Sequence, residues 1–215
     1  MQKFKKHTNL HIFLLISILL IMVWSFIGCH DLYTWILEAF PVVVAIILIV
    51  GFYKKFRFTD LTVILIWVHS IVLLIGAHYT YAEMPLFNWL RDEFSLSRNY
   101  YDRVGHFFQG FVPAIIAREV LLLASPLKKG KWLIFIIISI CLAVSSIYEI
   151  LEWIVAEISG SSAVAFLATQ GDAFDTQKDM ALCLVGAVTA LLTLSRLHEK
   201  QLKKNIYYRL KAGFG

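Results

Sequence analysis

Charge is scarce in this 215-residue chain, where Asp, Glu, Lys and Arg together make up 16%, well short of the ~25% of an average soluble domain. With 59% apolar residues and a mean hydropathy of +0.72, that shortage excludes a water-soluble domain, a disordered chain and a nucleic-acid-binding protein. Cysteine is nearly absent. Cys29, Cys141 and Cys183 lie far apart in apolar runs, which rules out a disulfide framework or a zinc motif. Familiar membrane-enzyme signatures are missing too. There is no Pro-Ser-Gly-His run of a lipid phosphatase and no Gly-x-Ser-Gly of a rhomboid protease. The single His-x-x-x-His pair, His7 and His11, straddles the N-terminal tail and the first apolar run, which excludes a histidine-rich di-iron desaturase. No internal repeat, low-complexity tract or second domain interrupts the chain.

What the chain does have is long apolar runs, at 10–28, 33–52, 61–81, 104–123, 132–158 and 180–197. Each is long enough for a helix rising 1.5 Å per residue to cross a bilayer core of ~30 Å. The predicted fold is therefore all-α: one integral-membrane bundle of six spans. The fourth run carries Gly105, His106, Gln109, Gly110, Pro113, Arg118 and Glu119, so its polar face must point into protein rather than lipid. Fifteen of the 20 Lys and Arg residues fall before the first run, in the second and fourth gaps, or after Leu194. By the positive-inside rule both termini are expected in the cytoplasm. The first run exceeds the 7 to 15 residues of a signal h-region, so it is read as a retained span. The basic segment 200–211 is read as a cytoplasmic tail able to lie on anionic lipid.

The carboxylates are distributed differently. Glu83, Asp92, Glu93, Asp102, Glu149, Glu152, Glu157, Asp172, Asp175 and Asp179 all map to the outer loops or outer ends of spans, a bias that topology alone does not require. Asp102, His106, Gln109 and Pro113 recur on one helical stripe, Glu149 and Glu152 lie one turn apart, and Asp172, Asp175 and Asp179 would share a face if that segment were helical. So many carboxylates at one depth must be neutralised by protons, by cations, or by Arg98, Arg103 and Lys178.

Three readings follow. In the first, Asp102, His106, Glu149 and Glu152 do acid–base or ligand work, Asp172, Asp175 and Asp179 hold a divalent metal such as magnesium, manganese or zinc, and Arg98 and Arg103 clamp an anion. The protein is then a metal-dependent enzyme on a lipid-linked or phosphorylated substrate at the outer face. In the second, the same groups serve a proton- or cation-coupled transporter. In the third, the carboxylates only pair helices. Of the span-three histidines, His78 is expected to face the cavity rather than His69. Glu38 is expected at the interface, Arg118 and Glu119 in a structural role, and the amphipathic loop 83–101 as a lid or an interfacial anchor.

The run Asn99, Tyr100, Tyr101, Asp102, Arg103, Val104, Gly105, His106, Phe107, followed by Gln109, Gly110, Phe111, Pro113 and Ala114, resembles the YjdF family of bacterial inner-membrane proteins. So do Glu149, Glu152 and Trp153, and the set Gln170, Gly171, Asp172, Asp175, Gln177, Asp179, Met180, Gly186 and Ala187. A looser similarity to VanZ-like membrane proteins lies in the order of Asp, His, acidic pair and Asp-rich stretch. Where those sequences commonly carry an Arg before the last aspartates, this chain has Gly171 and Phe174. The resemblance implies a multi-pass protein of the bacterial inner membrane and brings no biochemical activity with it.

Overall fold

In the computed structural model the described residues are 2–159 and 168–211 for the backbone, and 7–158 and 168–204 for side chains. They form α1 (Gln2–Phe26), α2 (Leu32–Phe52), α3 (Asp60–Tyr79), a 3-10 turn (Tyr81–Glu83), α4 (Pro85–Glu93), α5 (Tyr101–Ala124), α6 (Lys131–Ser159) and α7 (Asp175–Lys211), with no strand among the described residues. Six of these helices are long and apolar enough to cross a membrane. The exception, α4, is short and buries none of its residues fully.

Local chemistry sets the helix ends. Asp31 caps α2 by accepting from the Thr34 N–H at 2.6 Å, and Thr59 caps α3. Thr80, at φ +59°, stops α3 and turns Tyr81 back into the bundle. There the ring lies so close to α3 and α5 that a Cβ at Gly76 or Gly105 would sit 2.3 or 2.8 Å from it. Span three therefore ends two residues earlier than the apolar run, because Tyr81 serves as a wedge and not as a last helical turn. At the other end of the 81–101 connection, the Asn99 side chain accepts from the Tyr101 N–H at 3.0 Å where α5 begins.

The helix α5 is the hub, packing on α3, α6 and, most extensively, α7. The α5–α7 crossing is backbone to backbone. A Cβ at Gly110 would lie 1.8 Å from the Cys183 carbonyl oxygen, and one at Gly186 would lie 2.0 Å from that of Phe107. Small residues thus permit a contact that any side chain would prevent, as they commonly do between membrane helices. Beneath the crossing, Ala114, Ile115, Ile137, Cys141, Ala187 and Ala190 form a dry core. A second core, with Ile18, Ala39, Val42, Leu74 and Ala77, joins α1 and α2 to α3. Around the outside, Phe13, Leu20, Trp132 and Leu192 are among many large apolar residues left exposed, a surface that only lipid would cover.

One expectation about α7 changes. The helix starts at Asp175, so Asp172 lies in the turn before it rather than on a shared helical face. The backbone stays helical through Lys211, so the basic segment 200–211 is continuous with the helix of span six.

Candidate functional site

Away from the chain termini, the N-terminal turn of α5 meets the segment leading into α7. Arg98, 4% exposed, donates to the Ala168 carbonyl at 2.9 Å, to the Thr169 carbonyl at 3.2 Å and to the Asp175 carboxylate, and it lies 3.5 Å from Asp102. Arg103 donates to Asp175 at 2.5 Å and to Asp172 at 3.2 Å, and pairs with Asp179. Lys178 adds a contact of 2.6 Å to Asp172, whose carboxyl is held below the usual range by that ammonium and by the Phe174 N–H. An amide clasp completes the joint: Gln170 accepts from the Asn99 N–H and donates to the Asn99 carbonyl, each at 2.9 Å.

Next to this network the ligand atoms of Asp102, His106 and Asp179 lie within 4.8 Å of one another, all three residues buried. His106 Nε2 is 3.4 Å from Asp102 and 3.8 Å from Asp179. Its Nδ1 meets Gln109 Oε1 at 3.1 Å and lies 3.7 Å from Glu149. The one-turn spacing of Asp102 and His106 on α5 makes this possible.

Asp102, His106 and Gln109 line a cavity of about 230 Å³ between α2, α3, α5 and α6, together with Glu38, His69, Tyr81, Tyr148 and Glu152. Glu38 is 2% exposed, and neither of its carboxyl oxygens has a hydrogen-bond partner among the described residues. The same holds for His69 Nε2 and Glu149 Oε1. Buried polar atoms without partners are uncommon, and each asks for an explanation such as a bound ion or water.

Most of the acidic residues singled out by spacing gather here, in two groups. Asp102, His106 and Glu152 face the cavity, with Asp179 and Glu149 against His106; Asp172 and Asp175 belong to the arginine network. Arg98 and Arg103 do not reach the cavity wall, because aspartates and carbonyls already surround both guanidiniums. Two expectations are corrected. Glu38 is buried rather than interfacial, since α2 turns it toward α5 and α6. His69, not His78, faces the cavity. The two are on opposite sides of α3, and His78 stacks on Trp24 while its Nδ1 meets the Ser25 carbonyl at 3.0 Å.

The end of the bundle that holds both termini has polar joints of its own. Glu119 accepts from the Thr59 N–H at 2.7 Å, from the Thr59 hydroxyl at 2.8 Å, from the Thr62 hydroxyl at 2.5 Å and from His198 at 3.0 Å. Arg118 donates to His198 Nδ1 at 2.9 Å and to Glu199 at 3.1 Å. Both residues tie α5 to its neighbours, in keeping with a structural role. His7, His11 and Tyr53 likewise join α1 and α2 to Asp60 at the start of α3.

Six bilayer-length helices, four of them around a chamber of carboxylates and histidines, define a multi-pass membrane protein. The chain belongs to the family described as Predicted membrane protein (DUF2238), whose model matches residues 10–200. It is 40% identical over 189 residues, 88% of this chain and 90% of the relative, to Inner membrane protein YjdF of Escherichia coli (strain K12), which bears out the family resemblance. No solved structure matches the chain.

Proposed function

We propose that this protein is a metal-dependent enzyme of the bacterial inner membrane, acting at the outer face on a lipid-linked or phosphorylated substrate. The proposal takes both termini as cytoplasmic and membrane lipid as the surrounding partner. The observation that carries it is the convergence of Asp102, His106 and Asp179 within 4.8 Å at the cavity. Two carboxylates and an imidazole suit a hard or borderline divalent cation such as magnesium, manganese or zinc. The donor set passes a second test of fit. Arg103, which neutralises Asp179, also has Asp172 and Asp175 in contact, so it keeps partners if Asp179 turns to a cation.

When bound, such a metal supplies Lewis acidity toward a phosphoryl or carbonyl oxygen and lowers the pKa of a ligand water. The chain's own groups do the rest. Gln109 orients the His106 ring through Nδ1. Glu152, on the cavity wall, and Glu149, beside His106, are the groups able to take or give a proton. No Lys or Arg lines this cavity among the described residues, so the charge of a phosphorylated substrate would be met by the cation. In this reading Arg98 and Arg103 hold the aspartates in position and set the field around the substrate.

Elemental analysis of purified protein tests the proposal, with wild type beside Asp102→Asn and Asp179→Asn. About one divalent ion per chain, lost in both variants, is the expected result. Wild type without stoichiometric metal at any pH from 6 to 8, and variants of unchanged thermal stability, would overturn it.

A second reading, a proton- or cation-coupled carrier, is favoured by Glu38 and His69. Both are buried on the cavity wall with unpartnered polar atoms, and His69 lies midway along α3. Ion flux in proteoliposomes that is abolished by Glu38→Gln, from protein carrying no metal, would select the carrier.

A further inference from the structure

A second cavity, of about 280 Å³, opens between α1 and α2. Its walls are Leu14, Leu15 and Ile18 on one helix and Ile46, Ile49 and Val50 on the other, with α3 as the floor. The helices α1 and α2 touch at few points, because each packs on α3 instead. At one end of the slot His11 Nδ1 meets the Tyr53 hydroxyl at 3.1 Å; a second hydrogen bond between the two helices, from the Trp35 indole N–H to Ser25 Oγ at 2.9 Å, lies well beyond the opposite end. Ile12 and Val50 of the slot wall are about half exposed, on the surface that lipid covers.

Two properties decide what the slot can hold. Its polar atoms within the membrane are already satisfied: the Ser70 hydroxyl donates to the Ile66 carbonyl at 2.8 Å, and the Trp67 indole donates to Ser17 at 2.8 Å. Such a surface gives water little to bind, whereas a hydrocarbon chain fills it without cost. The slot also adjoins the acidic cavity, since Ala45, Ile66 and Ser70 line both. Twelve residues of α2 separate Glu38 in the acidic cavity from Val50 at the far end of the slot. That is about 18 Å at 1.5 Å per residue, more than half of a ~30 Å hydrocarbon core.

We infer that the α1–α2 slot is a tail-binding subsite: it takes one long hydrocarbon chain of a lipid whose headgroup lies in the acidic cavity, entering sideways from the bilayer. This rests on the reading of the acidic cavity as the reaction site and narrows its substrate to a single long-chain lipid. An acyl or a polyprenyl chain would satisfy the same chemistry.

Photo-crosslinking in lipid nanodiscs tests this, with two probes carrying a diazirine at the chain end: a phosphatidic acid and a polyprenyl phosphate. Either probe should label peptides of α1 and α2 that line the slot several-fold above the lipid-facing surface of α6, and the more efficient one identifies the chain type. Ala45→Trp, which fills the junction of the two cavities, should reduce slot labelling to the level of α6. Ala45→Leu, a milder change, should reduce it in part, and size-exclusion profiles check that both variants fold. Labelling spread evenly over all lipid-facing helices would overturn the inference. So would slot labelling that Ala45→Trp leaves unchanged and Lys54→Ala removes, the result expected for a lipid entering from the Lys54 end. Metal content measured on the same samples separates the two claims. Slot labelling without metal removes the metal enzyme alone, and metal without slot labelling removes the tail site alone.

Discussion

Asp102 and His106 were legible as a pair because helical spacing alone puts residues four apart on one face. Glu38 and His69 were not, because finding them requires the rotation of α2 and α3 about their own axes, which depends on neighbours far away in the chain. His69 and His78 lie on opposite sides of α3, so pattern showed that only one could face the cavity, and the choice by depth went the wrong way. Each side chain carries its own test. Glu38 is a buried carboxyl without hydrogen-bond partners, and burying such a group is costly. Glu38→Leu should therefore raise the thermal unfolding temperature while lowering whatever activity the cavity has; a fall in stability would mean that Glu38 has a structural partner. Arg103→Met removes the cation shared by Asp172, Asp175 and Asp179, and leaving buried charges unpaired typically costs about 3–5 kcal/mol. Equilibrium unfolding in mixed micelles measures it. At the rim, Lys178 holds Asp172 below its ordinary range, so this contact persists above the unfolded aspartate value of about 3.9 and is lost only as pH falls through the depressed one. The Phe174 amide, which donates to Asp172 at 3.1 Å, should titrate by NMR with a midpoint below that value and move up toward it in Lys178→Met.

Among the elements, the six spans could be read from apolar length, whereas the helix α4 lay within what read only as an amphipathic loop. The ends of the spans could not be read. Tyr81 looked like the last residue of an apolar run, and only the glycines it packs against, one in another helix, make it a wedge. The aspartates before span six kept helical spacing, yet α7 begins at Asp175 because Asp172 bonds the Phe174 N–H and Lys178 instead of continuing a helix upstream. The α5–α7 crossing was hidden for a related reason: Gly110 and Gly186 are unremarkable until their backbones are opposed. A methyl group at either would meet a carbonyl oxygen at 2.0 Å or less. Gly110→Ala and Gly186→Ala should each push the two helices apart and destabilise the bundle by about 1–3 kcal/mol, the usual cost of overpacking. They should also loosen the Asp102, His106 and Asp179 set, which spans this same pair of helices. Thermal unfolding and metal content, measured together, check both effects; an unchanged Gly186→Ala variant would show that the crossing tolerates a shift.

For the molecule as a whole, alternating basic and non-basic gaps predict that reporters fused after Gly215 are active in the cytoplasm, and reporters placed at Ser97 only outside it. An external C-terminus would reverse the assignment of the acidic cavity to the outer face. The overall plan was accessible because a bilayer constrains a chain so heavily: length and apolarity decide what can cross, and little else competes. The chamber's contents were accessible only as a list of charges at one depth. One arrangement within the bundle bears on how the protein comes to exist at all. The charges of α5 find partners mainly on α7: Arg103 on Asp175 and Asp179, Arg118 on His198 and Glu199, Glu119 on His198 as well as on α3. The ribosome, however, makes α7 last. During synthesis the hub helix should therefore wait in or beside the translocation machinery, its guanidiniums and carboxylates short of partners, because those on α7 lie 72 to 81 residues further along the chain. A chain ended after Ser159 should accordingly leave α5 poorly retained in the bilayer and be cleared rapidly by membrane proteases, whereas α1 to α3 stay inserted; protease protection and pulse–chase turnover would follow both. With that outcome, arrival of α7 would be the checkpoint on which retention of α5 depends.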